Sequence, residues 1–121
     1  TRDIVTVLFY LEESTVEKGC TQVIPGSHVF PLADGLYSID KEEWIQQSGI
    51  LDQTVPVPMP AGGMLAIDSM IFHGAGKNNT SETRMSITAG YHSVDELAET
   101  PNPKCRLVRG GYIYKGNDNY K

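Results

Sequence analysis

Between Gly62 and His92 the chain reads GGMLAIDSMIFHGAGKNNTSETRMSITAGYH: an apolar run closed by a histidine, a polar loop, and an alternating run opened by an arginine. Short apolar or alternating runs bounded by turn-forming residues predict strands rather than helices. Two strands joined by that loop would bring His73 and Arg84 to the same mouth of a β-barrel. Imidazole is the commonest side-chain ligand for a first-row metal, and a guanidinium is the best two-pronged holder of a carboxylate. In one pocket the pair would hold a metal together with a carboxylate co-substrate. Ser86 follows Arg84 by two positions, so on a strand its hydroxyl shares that face and joins the carboxylate contact. The loop from Gly74 to Thr80 is rich in residues that tolerate left-handed backbone, as a tight exit beside a ligand requires. A plainer reading stays open at this point. A histidine ending an apolar strand is commonly a hydrogen-bonded core residue, and Arg84, Ser86, Thr88 and His92 alternate with Met85, Ile87, Ala89 and Tyr91 as on a strand with one face in solvent.

The rest of the chain supports a mostly β architecture. Residues 4–11, IVTVLFYL, are dense in β-branched and aromatic side chains and predict a strand buried on both faces. Residues 12–18 are polar and read as a surface connection. A short strand over 20–24 ends at Ile24-Pro25-Gly26-Ser27, the sequence of a type II turn. His28 is expected to fix that turn by a hydrogen bond rather than to bind metal. Asp40 is a candidate N-cap for a short helix over 41–47, with acidic residues in its first turn, Trp44 as its anchor and Gly49 as its stop. Pro56 and Pro58 put the segment 53–59 at a sheet edge. Asp68-Ser69 interrupts the apolar run 64–72, where a corner or bulge would divide it into two strands. A last strand is expected over 83–91, and the glycines and asparagines of 93–121 read as an irregular tail.

Two stretches carry a family resemblance. Gly62-Gly63-Met64-Leu65-Ala66-Ile67-Asp68 followed by His73-Gly74-Ala75-Gly76, Asn78-Asn79-Thr80-Ser81 and Arg84 is similar to the C-terminal half of the phytanoyl-CoA dioxygenase family. Upstream, Gly19-Cys20-Thr21-Gln22-Val23-Ile24-Pro25-Gly26-Ser27-His28 resembles that family's glycine, short strand and PGSH-type turn. The resemblance covers residues 4–92. It implies a double-stranded β-helix, a jelly-roll or cupin-like barrel with one or two short helices, here incomplete at its N-terminus. It also implies a non-haem Fe(II) oxygenase that uses 2-oxoglutarate and O2 on a small-molecule substrate. His73 then matches the second iron-binding histidine and Arg84 the 2-oxoglutarate-binding arginine, with Ser86 beside it. The family places an aromatic of the first strand beside the co-substrate, a position that Leu8, Phe9 and Tyr10 straddle. The region 29–52 corresponds to the part of the family that varies and reaches over the pocket. The family's other two ligands form an H-x-D motif, and no H-x-D occurs in these 121 residues. Those ligands are therefore expected upstream of Thr1, with residues 1–121 forming the C-terminal portion of one oxygenase domain. A metal-free cupin-like binding module, or a halogenase with a small residue in place of the carboxylate, are the alternatives that missing motif leaves.

Composition narrows the partners. A formal charge of −5 with scattered basic residues gives no electrostatic footprint for nucleic acid. No apolar run is long enough to span a bilayer. Two cysteines, Cys20 and Cys105, are too few for a disulfide framework and are expected to be reduced, in a cytoplasmic protein whose oligomeric state the sequence does not indicate.

Overall fold

The computed structural model describes residues 4–30 and 43–93, with isolated positions at 106, 108 and 109. The expected Asp40 cap, the Trp44 anchor and most of the tail 93–121 lie outside the described residues and side chains. Among the described residues six strands form two three-stranded antiparallel sheets. One has β1 (Val5–Tyr10) at its centre, between β4 (Met64–Asp68) and β6 (Ser86–Tyr91). The other has β2 (Thr21–Val23) between β3 (Val55–Val57) and β5 (His73–Ala75). Pro56 pairs with Gln22 on the edge strand β3, where its missing N–H costs no ladder bond.

One buried contact fixes which faces look at each other. The Tyr10 hydroxyl on β1 shares a 2.7 Å hydrogen bond with the Thr21 hydroxyl on β2, across the space between the sheets. Directly opposed residues of antiparallel strands share a face, and faces alternate along a strand. Tyr10 is paired with Ser86, so Ser86 and Thr88 also face inward. Thr21 is paired with Ala75 and Val23 with His73, so His73 faces inward from the opposite sheet. The apolar set Val5, Phe9, Met64, Ile87 and Tyr91 takes the outer face and is exposed. Of the two readings the alternation left open, a polar face in a pocket or in solvent, the fold turns Ser86 and Thr88 toward the other sheet.

The corner at Asp68-Ser69 forms as expected. Asp68 Oδ1 accepts the Met70 N–H at 2.7 Å, and the Asp68 carbonyl accepts the Ile71 N–H at 3.1 Å, an Asx-type turn that carries the chain from one sheet to the other. Thr6 and Ser69 share a 2.6 Å hydroxyl bond that ties this corner to β1.

A second small core forms where Ile24 and Phe72 meet Ile45 of helix α1 (Glu43–Ser48) and Ile50, with Leu51 packed against them. Ile45 is completely buried and anchors the helix. Gly49, at φ 71°, ends the helix in left-handed backbone, as its place in the sequence indicated. The turn at residues 24–27 is type II: Gly26 has φ 77° and ψ −4°, and the Ser27 N–H donates to the Ile24 carbonyl at 3.2 Å. His28 does not hold it. His28 is exposed without a hydrogen bond among the described residues, whereas the fully buried Ser27 hydroxyl accepts the Phe72 N–H at 2.7 Å. A hydroxyl fits beneath the turn where an imidazole would not. Replacing Ser27 by Ala orphans the buried Phe72 N–H, with an expected loss of about 1–3 kcal/mol in urea unfolding. A His28→Ala change should alter the midpoint far less, and the reverse ranking would contradict this assignment.

Candidate functional site

The inner faces carry both buried and accessible side chains. Tyr10, Thr21 and Ile67 are buried between the sheets, yet His73, Ser86 and Thr88 face inward and stay exposed. Inward-facing side chains that remain accessible line a cleft rather than a packed core.

His73 enters this cleft from β5. Its Nδ1 lies 2.8 Å from the Ile71 carbonyl. A carbonyl only accepts, so Nδ1 carries the proton and donates it. That fixes the tautomer and leaves the lone pair on Nε2, the arrangement usual for a metal-ligating histidine. The residue is exposed, so the plainer reading of a buried, hydrogen-bonded core histidine does not describe it.

Arg84 stands just ahead of β6 rather than on the strand, and half-buried. Its Nη2 donates at 3.2 Å to the carbonyl of Gly76, immediately after β5. The guanidinium thus reaches from the end of one sheet to the end of the other, just beyond the Tyr10–Thr21 contact, while His73 stands further along the inner face opposite Val23. Only one of its five N–H donors is used in that bond. Ser86 follows on the same inner face, opposite Tyr10. Of the three residues Leu8, Phe9 and Tyr10 among which the sequence left the register open, Leu8 and Tyr10 share the inner face and Phe9 faces out. The strands β5 and β6 are not paired with each other; the loop joining them crosses between sheets, and Arg84 closes the crossing.

Close backbone approach makes that closure possible. Gly19 has φ 71°, and a Cβ there would overlap the Gly76 carbonyl and lie 2.6 Å from the Lys77 carbonyl oxygen. The Gly76 N–H donates to the Cys20 carbonyl at 3.4 Å, and the Asn79 N–H to the Glu17 carbonyl at 3.0 Å. An ion pair from Lys18 to Glu82 adds to the same contact. It holds the Glu82 carboxyl below its ordinary value, through the Lys18 hydrogen bond and then its charge, and raises Lys18 by the converse hydrogen bond. Asn78 bonds the Glu82 carbonyl through Nδ2 at 2.7 Å and the Thr80 N–H and hydroxyl through Oδ1.

The segment 12–18 is more than a surface connection. Ser14 is buried and bridges to Met59, and the Glu12 carboxylate accepts the Thr83 hydroxyl and the Met85 backbone N–H on either side of Arg84. Nothing in the spacing of Glu12 marks this, because its partners are far away in the chain. His92, just after β6, bonds the adjacent Ser93 carbonyl at 2.8 Å. Among the described residues no three His, Cys, Asp or Glu side chains gather as a complete metal-binding group. His73 is the donor this chain brings to the cleft.

Residues 1–86 match the phytanoyl-CoA dioxygenase (PhyH) family, and the chain belongs to it. The dioxygenase trt7 of Aspergillus terreus is 35% identical over 80 residues, which is 66% of this chain and 24% of that protein. The non-haem α-ketoglutarate-dependent epimerase SnoN of nogalamycin biosynthesis is 31% identical with a TM-score of 0.63, over 76% of this chain and 35% of its own. EctD from S. alaskensis, solved with 2-oxoglutarate and 5-hydroxyectoine, is 26% identical with a TM-score of 0.64, over 75% of this chain and 31% of its own. The chain therefore spans about a quarter to a third of the length of these relatives. Its two facing sheets are part of the double-stranded β-helix that such oxygenases share.

The glycine of the first signature gains a physical reason here. A Gly19→Ala variant should lose about 1–2 kcal/mol from the left-handed backbone alone, with the overlap on Gly76 adding to it. Thermal melting of the full-length protein checks this; an unchanged Tm would show that the close approach is not required.

Proposed function

We propose that this chain forms part of a non-haem Fe(II)- and 2-oxoglutarate-dependent oxygenase acting on a small organic molecule. The observation that carries the reading is that His73 faces the inter-sheet space with its Nδ1 held by the Ile71 carbonyl, while Arg84 bridges the ends of the same two sheets with donors to spare. The donor set suits iron, since a neutral imidazole tied through Nδ1 to a backbone carbonyl is a pre-oriented ligand. In this reading Nε2 of His73 is one iron ligand, and two further donors come from polypeptide beyond these 121 residues. The free guanidinium donors of Arg84 take the distal carboxylate of 2-oxoglutarate as a charge-assisted fork, and the Ser86 hydroxyl adds a donor beside it.

Iron with 2-oxoglutarate and O2 supplies the oxidising power, one oxygen atom entering succinate as carbon dioxide leaves and the other entering the substrate. The chain's own residues bind and orient. Arg84 would hold the far carboxylate, and Tyr10, tied to Thr21 across the sheets, would bound the space beside it. Hydroxylation is the proposed outcome, supported by the likeness to EctD, whose structure holds 5-hydroxyectoine. The likeness to an epimerase shows that the scaffold also serves another outcome. The buried free thiol of Cys20 suits the reducing cytoplasm proposed for the protein. No helix among the described residues is long and apolar enough to cross a membrane.

In the full-length protein, His73→Ala should abolish iron-dependent succinate formation and lower iron content. Arg84→Lys keeps the charge but replaces a planar fork with a point donor. It should raise the KM for 2-oxoglutarate by about tenfold or more, equivalent to the loss of one charge-assisted hydrogen bond. Unchanged KM would remove Arg84 from the co-substrate site, and retained turnover in His73→Ala would remove His73 from the metal.

A further inference from the structure

Arg84 is useful to a carboxylate only if its long side chain leaves the backbone in the right direction, and that backbone is not yet part of β6. Four hydrogen bonds supply the missing order, all from two consecutive residues at the end of β1. The Leu11 and Glu12 N–H groups both donate to the Met85 carbonyl, at 2.9 and 3.2 Å. The Glu12 carboxylate then reaches to both neighbours of Arg84: Oε1 accepts the Thr83 hydroxyl at 2.9 Å and Oε2 accepts the Met85 N–H at 2.8 Å. Both oxygens of one carboxylate are spent on the residues that bracket Arg84, and Glu12 is half-buried in doing so.

We infer that Glu12 is a positioning residue for co-substrate binding, acting through Arg84. It touches neither the metal ligand nor the guanidinium. Its effect is to fix the backbone from which the guanidinium extends, so that the Gly76 carbonyl holds one donor and the others are left for a carboxylate. Charge-assisted acceptors are roughly twice as strong as neutral ones, which makes a carboxylate the fitting group for a strandless segment. The inference rests on the reading of Arg84 as the holder of 2-oxoglutarate.

The test is calorimetric titration of 2-oxoglutarate into the full-length, iron-loaded protein without oxygen, so that binding and not turnover is read. Glu12→Ala should weaken binding by about tenfold, the equivalent of one charge-assisted hydrogen bond, while leaving iron content unchanged. Glu12→Gln, which keeps one carbonyl acceptor and loses the second, should fall between it and the parent. Thr83→Val removes a single bond without touching the carboxylate and should also weaken binding, by less. Hydrogen exchange at the Met85 amide should quicken in both Glu12 variants. The decisive comparison is the double variant Glu12→Ala/Arg84→Ala, expected to bind no more weakly than Arg84→Ala, since residues acting as one unit are not additive. Equal weakening by Glu12→Ala with and without Arg84, or unchanged affinity in the Glu12 variants, overturns the positioning role while the Arg84 reading stands. Unchanged affinity in Arg84→Ala would overturn both. If Glu12→Ala does not fold, Glu12→Gln and Thr83→Val decide by the same comparison.

Discussion

The open end of the sandwich depends on how near the Gly19 backbone lets Gly76 come. A side chain at Gly19 would occupy the place of the Gly76 carbonyl, the group that receives the Arg84 guanidinium. Only with that approach can the loop after β5 lie along residues 17–20 and exchange the backbone bonds of Gly76 and Asn79 with Cys20 and Glu17. The loop then returns to the opposite sheet at the height where Glu12 receives it. Two glycines, one carboxylate and one guanidinium thus set the width of the mouth. Each is weak alone, and together they hold a crossing that no regular ladder supports.

An unpacked interior at that mouth is a cost the rest of the structure offsets. Inward-facing His73, Ser86 and Thr88 exclude no water and contribute little hydrophobic stabilisation. Order comes instead from the Tyr10–Thr21 bond that joins the sheets and from Ile67, buried opposite Thr6 near the other end of β1. It also comes from the separate cluster of Ile24, Ile45, Ile50 and Phe72. The Ser27 hydroxyl links that cluster to the strand that carries His73, because Phe72, whose N–H it holds, directly precedes the histidine. A site raised on a rigid edge and left open at its centre is what metal chemistry on a small molecule requires.

Local features were legible because they rest on local chemistry. Proline before glycine announced the type II turn, Gly49 the helix end, Asp68-Ser69 the corner, and Pro56 the edge strand. His73 and Arg84 stood out by residue type and by a family resemblance the comparison bears out. Other features depend on partners far apart in the chain. The alternation of β6 gave two faces but not which of them meets the other sheet; that follows from Tyr10 reaching Thr21. Glu12 looked like one polar residue in a polar stretch, since Thr83 and Met85 come to it only after folding. Ser27 lay beside a more conspicuous histidine and was passed over, although a small hydroxyl is the group that fits against a buried strand end.

The central claim is that an imidazole from one sheet and a guanidinium from the other serve a single iron-bound keto acid. A crystal structure of the full-length protein with iron and 2-oxoglutarate, grown without oxygen, tests this most directly. The expected result has the metal on Nε2 of His73 and the distal carboxylate of 2-oxoglutarate forked by Arg84. Metal bound away from His73, or a keto acid whose far carboxylate meets a different cation, would contradict it.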